Sequence, residues 1–358
     1  MIHFLGNRPI NRSEINRVLI RATNWVGDVV MTLPALEAVR ECFPNSTLVV
    51  LARPWVIPLF ENHPMVDEVM PLKKGKGPFT RLAEIGRVAL QIRRRRFDLA
   101  ILFQNAFEAA LIAYLGGIKY RVGYDTDHRR FFLSHTLVKD DETINGHQVE
   151  YYLQLLKAIG CDAASKNPEL FISVDHKEKI RSVLSENGVA HEDFLLGLSP
   201  GAVFGPAKRW PPDRFAAIGD MAVEKWGAKV IIFGSQGEKD VCAEVSDKMN
   251  HSSINLSGKT KLGEAMVLIS RCDLFLSNDS GLMHVASALN VPMVAVFGST
   301  DPVATGPRGP NARVVRHPVD CAPCMRPECP KDYRCMLGIE PKDVWNELVN
   351  LKSEMEER

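Results

Sequence analysis

The sequence predicts an α/β protein built on two parallel sheets, and two observations carry that prediction. Short runs dense in Val, Ile, Leu and Phe alternate with longer segments of helical spacing, a pattern that belongs to parallel strands covered by helices on both faces. The chain has 358 residues, which is long for a single core and comfortable for two domains.

The expected strands are 17–22, 47–52, 98–103, 194–199, 229–234, 273–277 and 292–298, each a near-continuous apolar run. Between them, 81–96, 146–159, 212–226, 239–250 and 262–271 have helical periodicity with polar faces. The pattern loosens over 160–193, so the domain junction is placed there: 1–175 forms a first domain and 176–340 a second. Residues 341–358 form a final amphipathic helix, with Pro341 suited to its first turn.

A charged fraction of 24% and a net charge of +1 give no global field that would favour nucleic acid, and no nucleic-acid partner is expected. The first sixteen residues lack an apolar core of signal-peptide length, and no run approaches the roughly 20 apolar residues that span a bilayer. A cytoplasmic protein is the expectation. Eight cysteines are too dilute for a disulfide scaffold, so reduced thiols are expected outside one cluster.

The first strand runs into Asn24-Trp25-Val26-Gly27-Asp28 and then a helical pattern. Such a turn lies at the carboxyl end of its strand, the edge where open parallel sheets hold ligands. Asp28 reads either as a general base at that edge or as a carboxylate favoured by a helix N-terminus. Residues 199–212, SPGAVFGPAKRWPP, follow the fourth strand. Small residues leave amides open there, and Lys208 and Arg209 add cations, so the loop reads as a phosphate cradle or as a plain connection. Asn278-Asp279-Ser280-Gly281 follows another strand and opens a helix carrying His284, a helix start that favours an anion. Gly298 to Asp301 is a third polar loop at the same edge, and Glu238 offers an acceptor for ribose hydroxyls. Three such loops on one sheet edge point to a nucleotide-type pocket.

Cys321, Cys324, Cys329 and Cys335 form C-x2-C-x4-C-x5-C. Four thiols suit a structural tetrahedral zinc, although the usual two-knuckle spacing is absent; the alternative is a loop packed by free or oxidised cysteines. Asp125-Thr126-Asp127 matches a metal-diphosphate DxD motif but sits in a loop followed by His128-Arg129-Arg130, and reads as a solvated turn. The basic runs 73–76, 93–96 and 129–130 are cations that read either as solvated helix ends and loops or as contacts for an anionic group.

In order and spacing, NWVGDVVMTLPAL from Asn24, PGAVFGPAKRWP from Pro200, SNDSGLMHVASAL from Ser277, FGSTDP from Phe297 and CAPCMRPECPKDYRCM from Cys321 resemble glycosyltransferase family 9 over nearly the whole chain. The resemblance implies a GT-B fold, two Rossmann-like parallel-sheet domains facing across a cleft, with the last helix returning to the first domain. It implies an inverting heptosyltransferase, with Asp28 as catalytic base and Lys208 as the cation facing the donor diphosphate. Gly201, Glu238, Thr260, Asp279, Ser280, Gly281, His284, Ser299 and Thr300 would bind the donor, ADP-heptose. Asn24, Trp25, Arg129 and Arg130 would meet the acceptor, a lipid A-linked inner-core oligosaccharide at the cytoplasmic face of the inner membrane. No cofactor is implied for the chemistry. The rival readings are transfer from another sugar nucleotide and a non-enzymatic two-domain sugar-binding protein.

Overall fold

The computed structural model describes residues 3–6, 9–73, 75, 77–140, 143 and 145–357. Lys74 and Lys76, two of the cations read from the sequence, lie outside the described residues. The chain divides into two compact units, residues 1–166 and 167–358.

In the first unit the strands are β1 His3–Gly6, β2 Arg17–Arg21, β3 Thr47–Ala52, β4 Glu68–Pro71, β5 Leu99–Leu102, β6 Tyr120–Tyr124 and β7 His135–Val138. The helices are α1 Val26–Cys42, α2 Pro78–Arg95, α3 Phe107–Leu115 and α4 Gln148–Lys157. The sheet order is β1-β7-β6-β5-β2-β3-β4, parallel throughout except for β1, which pairs antiparallel with β7. Setting β1 aside, the chain runs outward from β2 to β4, returns beside β2 as β5, and runs outward again to β7. That is the doubly wound order, and its switch point lies between β2 and β5. The strands β2, β3 and β5 are buried almost end to end, as strands covered on both faces must be.

The second unit carries β8 Leu195–Ser199, β9 Lys229–Ile232, β10 Ile254–Asn255, β11 Leu274–Asn278, β12 Met293–Phe297 and β13 Ala312–Arg316. Its helices are α5 Val174–Glu186, α6 Pro212–Trp226, α7 Lys239–Lys248, α8 Leu262–Ser270, α9 Gly281–Ala288, α10 Pro302–Thr305, α11 Arg334–Leu337 and α12 Pro341–Glu356. All six strands are parallel in the order β10-β9-β8-β11-β12-β13. This repeats the doubly wound order, with the switch point between β8 and β11.

Three sequence expectations change. Residues 167–175, assigned to the first domain, belong to the second unit; the Leu170 N–H donates to the Ala288 carbonyl at 3.1 Å, tying the linker to the end of α9. The final helix, expected against the first domain, buries Val344, Trp345, Leu348 and Leu351 in the core of the second unit, where Trp345 stacks on Trp226 with ring centroids 4.3 Å apart. Its apolar stripe is thereby used on β12, β13 and α6. The expectation of reduced thiols fails at Cys42 and Cys161, which form a disulfide joining the end of α1 to the segment after α4, with Cα atoms 5.5 Å apart. The packing of α1 against α4 brings these two residues together over 119 positions of sequence.

Candidate active site

Parallel strands end at one edge, so a single edge of the second sheet collects most of the residues singled out for the donor. Gly201 follows β8, Glu238 follows β9, Thr260 follows β10, Asp279 to His284 follow β11, and Ser299 and Thr300 follow β12. A doubly wound sheet opens its crevice at the switch point, here between Ser199-Pro200-Gly201 and Asn278-Asp279.

Asn278 fastens the two sides of that switch point. Its side-chain amide donates to the Pro200 carbonyl at 2.7 Å, and its Oδ1 accepts the Trp210 N–H at 3.0 Å. Trp210 is fully buried, against Phe215, and gives its indole N–H to the Ile339 carbonyl. The loop 200–211 is therefore anchored at both ends. Lys208 comes off this loop with its ammonium over the Phe204 ring, 4.8 Å from the centroid. Its Nζ lies 2.5 Å from Asp279 Oδ2, and the Thr300 hydroxyl donates to the same oxygen at 2.6 Å. Lysine, aspartate and threonine from three different loops thus form one group in which Asp279 and Thr300 are buried and Lys208 largely so. An ammonium has three N–H donors, so two remain for a further anion.

Gly201 has a steric reason to be glycine: a Cβ there would overlap the Glu238 carboxylate. Glu238 is held in a capping box, accepting the Ser235 N–H at 2.8 Å and the Ser235 hydroxyl at 2.7 Å on Oε2. Ser280 is the N-cap of α9 and makes no capping bond to that helix; its hydroxyl instead pairs with Ser277 at 3.1 Å. The first amides of α9, from Gly281 onward, face the electropositive end of the helix. His284 is buried in the first turn. Thr260 is half-buried one residue before the Lys261 cap of α8. Ser299 is buried, and its hydroxyl has no hydrogen-bond partner among the described residues. A buried hydroxyl left unpaired costs about 1–3 kcal/mol, a cost that a bound polar group would relieve.

In the first unit the corresponding edge carries Thr23 to Asp28. The N-cap of α1 is Trp25, two-thirds exposed and without a capping bond; Asp28 is half-buried in the first turn. Asp28 therefore occupies neither the cap position nor the core. Burial, with the Asp28 charge adding to it, raises the Tyr152 hydroxyl well above the usual tyrosine range. Asn24 is fixed from both sides: its Oδ1 accepts from Arg21 at 3.0 Å, and its carbonyl accepts the Trp55 indole N–H at 2.7 Å. The Thr23 hydroxyl is buried and, like that of Ser299, unpaired among the described residues.

The matches to known proteins follow this geometry. The glycosyltransferase family 9 (heptosyltransferase) model matches residues 85–333. Lipopolysaccharide heptosyltransferase 2 of Salmonella typhimurium is 32% identical, over 94% of this chain and 99% of its own length.

The chain belongs to glycosyltransferase family 9.

The structure of the E. coli ADP-heptose lps heptosyltransferase II superposes with a TM-score of 0.82 at 29% identity, covering 95% of this chain and 99% of that one. A family 9 glycosyltransferase from Veillonella parvula gives a TM-score of 0.84 at 25% identity, covering 95% and 97%. The chain is thus a glycosyltransferase, and its two doubly wound sheets are those of the GT-B heptosyltransferase structures.

Within this family 9 enzyme the sequence reading of several residues changes. Arg129, read as a cation for the acceptor, is fully buried. Its guanidinium donates to the Tyr124 carbonyl at 3.0 Å, to Asn105 Oδ1 at 3.0 Å and to the Gln104 carbonyl, and burial draws its pKa down to about 10. It braces the loop after β6 from inside. Arg130 is exposed, with Asp125 at 3.9 Å. Asp127 accepts the Phe107 N–H at the start of α3, so the DxD-like triplet includes a helix-start acceptor.

The four clustered cysteines line one cavity of about 250 Å³ together with Ala207 and Ser299. The Ser299 carbonyl accepts the Cys324 N–H at 3.0 Å and the Met325 N–H at 2.8 Å, so the cysteine loop is pinned to the loop after β12. Burial, with the neighbouring thiols adding to it, pushes the Cys335 thiol up. Among the described residues no three Cys, His, Asp or Glu side chains are grouped to hold a metal ion. The donor set is right for zinc, but the thiols as placed do not converge on one ion.

Sequence reasoning missed Asn278, Trp210, Thr23 and Trp55. Asn278 and Trp210 stood inside quoted motifs, and a polar residue closing an otherwise apolar strand was the available signal. Nothing local in the sequence links Trp55 to Asn24.

Proposed function

We propose that the protein is an inverting heptosyltransferase of lipopolysaccharide assembly. It moves L-glycero-D-manno-heptose from ADP-heptose onto the first heptose of the inner core, on an acceptor of the heptosyl-Kdo2-lipid A type. The carrying observation is the Lys208–Asp279–Thr300 group at the switch point of the second sheet. It fixes a cation whose remaining donors are free to meet a leaving diphosphate. The family membership and the names of the similar proteins support heptose as the transferred sugar.

In this reading Asp28 takes the proton from the acceptor hydroxyl as its oxygen bonds to the anomeric carbon, and the bond from that carbon to the diphosphate breaks on the opposite face. Negative charge grows on the departing ADP. Lys208, the amides opening α9 and the hydroxyls of Ser299 and Thr300 stabilise it. Glu238 takes the ribose and Thr260 the adenine side. Asn24, Trp25 and Arg130 belong to the acceptor, whereas Arg129 supports the loop that carries Arg130. The lipid-linked acceptor implies peripheral work at the inner membrane; among the described residues no helix is long and apolar enough to cross one. A structural zinc at the four cysteines would require that loop to draw its thiols together, and no chemical step is assigned to it.

Supplying the purified protein with ADP-heptose or UDP-sugars, together with the heptosyl acceptor, tests the reading. ADP and a heptosylated product should form from ADP-heptose alone. Turnover of a UDP-sugar in preference would replace it with the rival transferase, and donor binding without any turnover would favour a sugar-binding protein.

A further inference from the structure

Helix α2, PFTRLAEIGRVALQIRRR, spends only one of its faces on the fold. Ile85, Val88 and Ile92 are buried in the cluster that also holds residues of β5 and α3, and Ala89 is buried on the same face. A second stripe stays in solvent: Phe79 is 86% exposed, Leu82 66% and Leu90 49%, with Ala83 and Gly86 exposed between them. These five positions fall at i, i+3, i+4, i+7 and i+11, one continuous line on a helix, about a third of a turn around from the buried stripe. An exposed apolar stripe of this kind on a helix about 27 Å long marks an interaction surface.

The charge on the same helix says what covers it. The segment carries five arginines against one glutamate. Arg93 and Arg94 are exposed on the last turn, and helical spacing puts them on either side of the line that Phe79, Leu82 and Leu90 follow. The helix dipole accounts for cations at a C-terminus, but it gives no reason for a phenylalanine and two leucines in water. Apolar side chains flanked by arginines along one face are how a helix lies in the interface of an anionic bilayer. An acidic protein partner would need more polar contact than this stripe offers.

We infer that α2 docks the first unit on an anionic lipid surface, with Phe79, Leu82 and Leu90 entering the acyl boundary and Arg93 and Arg94 meeting lipid phosphates. The inference rests on the lipid-linked acceptor proposed above, and names the element that brings the enzyme to it.

Sedimentation of the full-length protein with mixed phosphatidylcholine–phosphatidylglycerol vesicles, and with phosphatidylcholine alone, tests it. The wild type should bind the mixed vesicles and not the neutral ones, with binding weakened by salt. The variant Phe79→Ser/Leu82→Ser/Leu90→Ser should lose at least about tenfold in vesicle binding, and Arg93→Ser/Arg94→Ser several-fold. Both should keep the wild-type circular dichroism and wild-type turnover on a delipidated core-oligosaccharide acceptor. A wild type that ignores anionic vesicles overturns the docking, as does a triple variant that binds them undiminished. A concentration-dependent dimer abolished by the triple variant would make the stripe a contact between copies and overturn it as well. Wild-type failure on the delipidated acceptor, with vesicle binding intact, would count against the proposed reaction and leave the docking standing.

Discussion

Lys208 Nζ and Asp279 Oδ2 lie 2.5 Å apart, and both side chains are largely buried. Thr300 donates to the same carboxylate oxygen. The pair joins the loop after β8 to the loop after β11, so it holds the switch point closed and aims a cation at once. Taking away one partner leaves the other charge buried. Lys208→Met should therefore cost about 3–5 kcal/mol of stability and lower kcat by about 10²–10³. Lys208→Met/Asp279→Leu should recover much of the stability, because no unpaired charge is left, and none of the turnover. Urea denaturation beside steady-state kinetics separates the two roles. Recovery of activity in the double variant would show that the lysine only balances the aspartate.

Arg129 and Arg130 are neighbours in sequence with opposite duties. Losing the Arg129 guanidinium takes its donors from the Gln104 carbonyl and Asn105 Oδ1 and leaves the Tyr124 carbonyl with the Thr126 N–H alone of the two it accepts. Arg129→Met should destabilise by roughly 3 kcal/mol or more, visible as a lower midpoint in urea. Arg130→Ala should stay within about 0.5 kcal/mol of wild type and raise KM for the phosphorylated acceptor. Equal stability in the two variants would contradict the bracing role of Arg129.

His63 is buried, which brings its pKa down to about 4. The folded state then binds fewer protons than the unfolded state between that value and the ordinary value of about 6.5. Stability is full above pH 6.5 and is lost as the pH falls through that window. Between pH 7 and pH 5 this group alone should remove about 2 kcal/mol. His63→Gln should flatten that part of the pH profile of unfolding free energy. An unchanged slope would mean that His63 is not the titrating group.

Much of the fold was legible because both sheets are parallel and buried on both faces, which writes long apolar runs such as Thr47–Ala52 and Met293–Phe297 into the chain. Strands β1, β4, β6, β7, β10 and β13 were not expected from the sequence. Tyr120–Tyr124 interleaves an arginine and a glycine with its apolar residues, and Ala312–Arg316 is a half-exposed edge. Most of the candidate site's edge could be read because the loops after β8, β9, β11 and β12 follow recognisable strands; Thr260, after the short β10, entered only through the family resemblance. The interactions that organise it could not, since Lys208–Asp279 spans 71 positions and Asn278–Pro200 spans 78. Arg129 misled for a related reason: charge is visible in a sequence, whereas carbonyls waiting in a buried loop are not. Cys42 and Cys161, 119 residues apart, meet only through helix packing.

The proposed transfer turns on Asp28, half-buried in the first turn of α1 and outside the cap position. Isothermal titration of ADP-heptose into Asp28→Asn, paired with turnover on the heptosyl acceptor, tests it most directly. The variant should keep the fold and bind the donor as the wild type does, while kcat falls by about 10²–10⁴, the share carried by a general base. Turnover within a few-fold of wild type would contradict it and leave Asp28 as a carboxylate that only stabilises its helix.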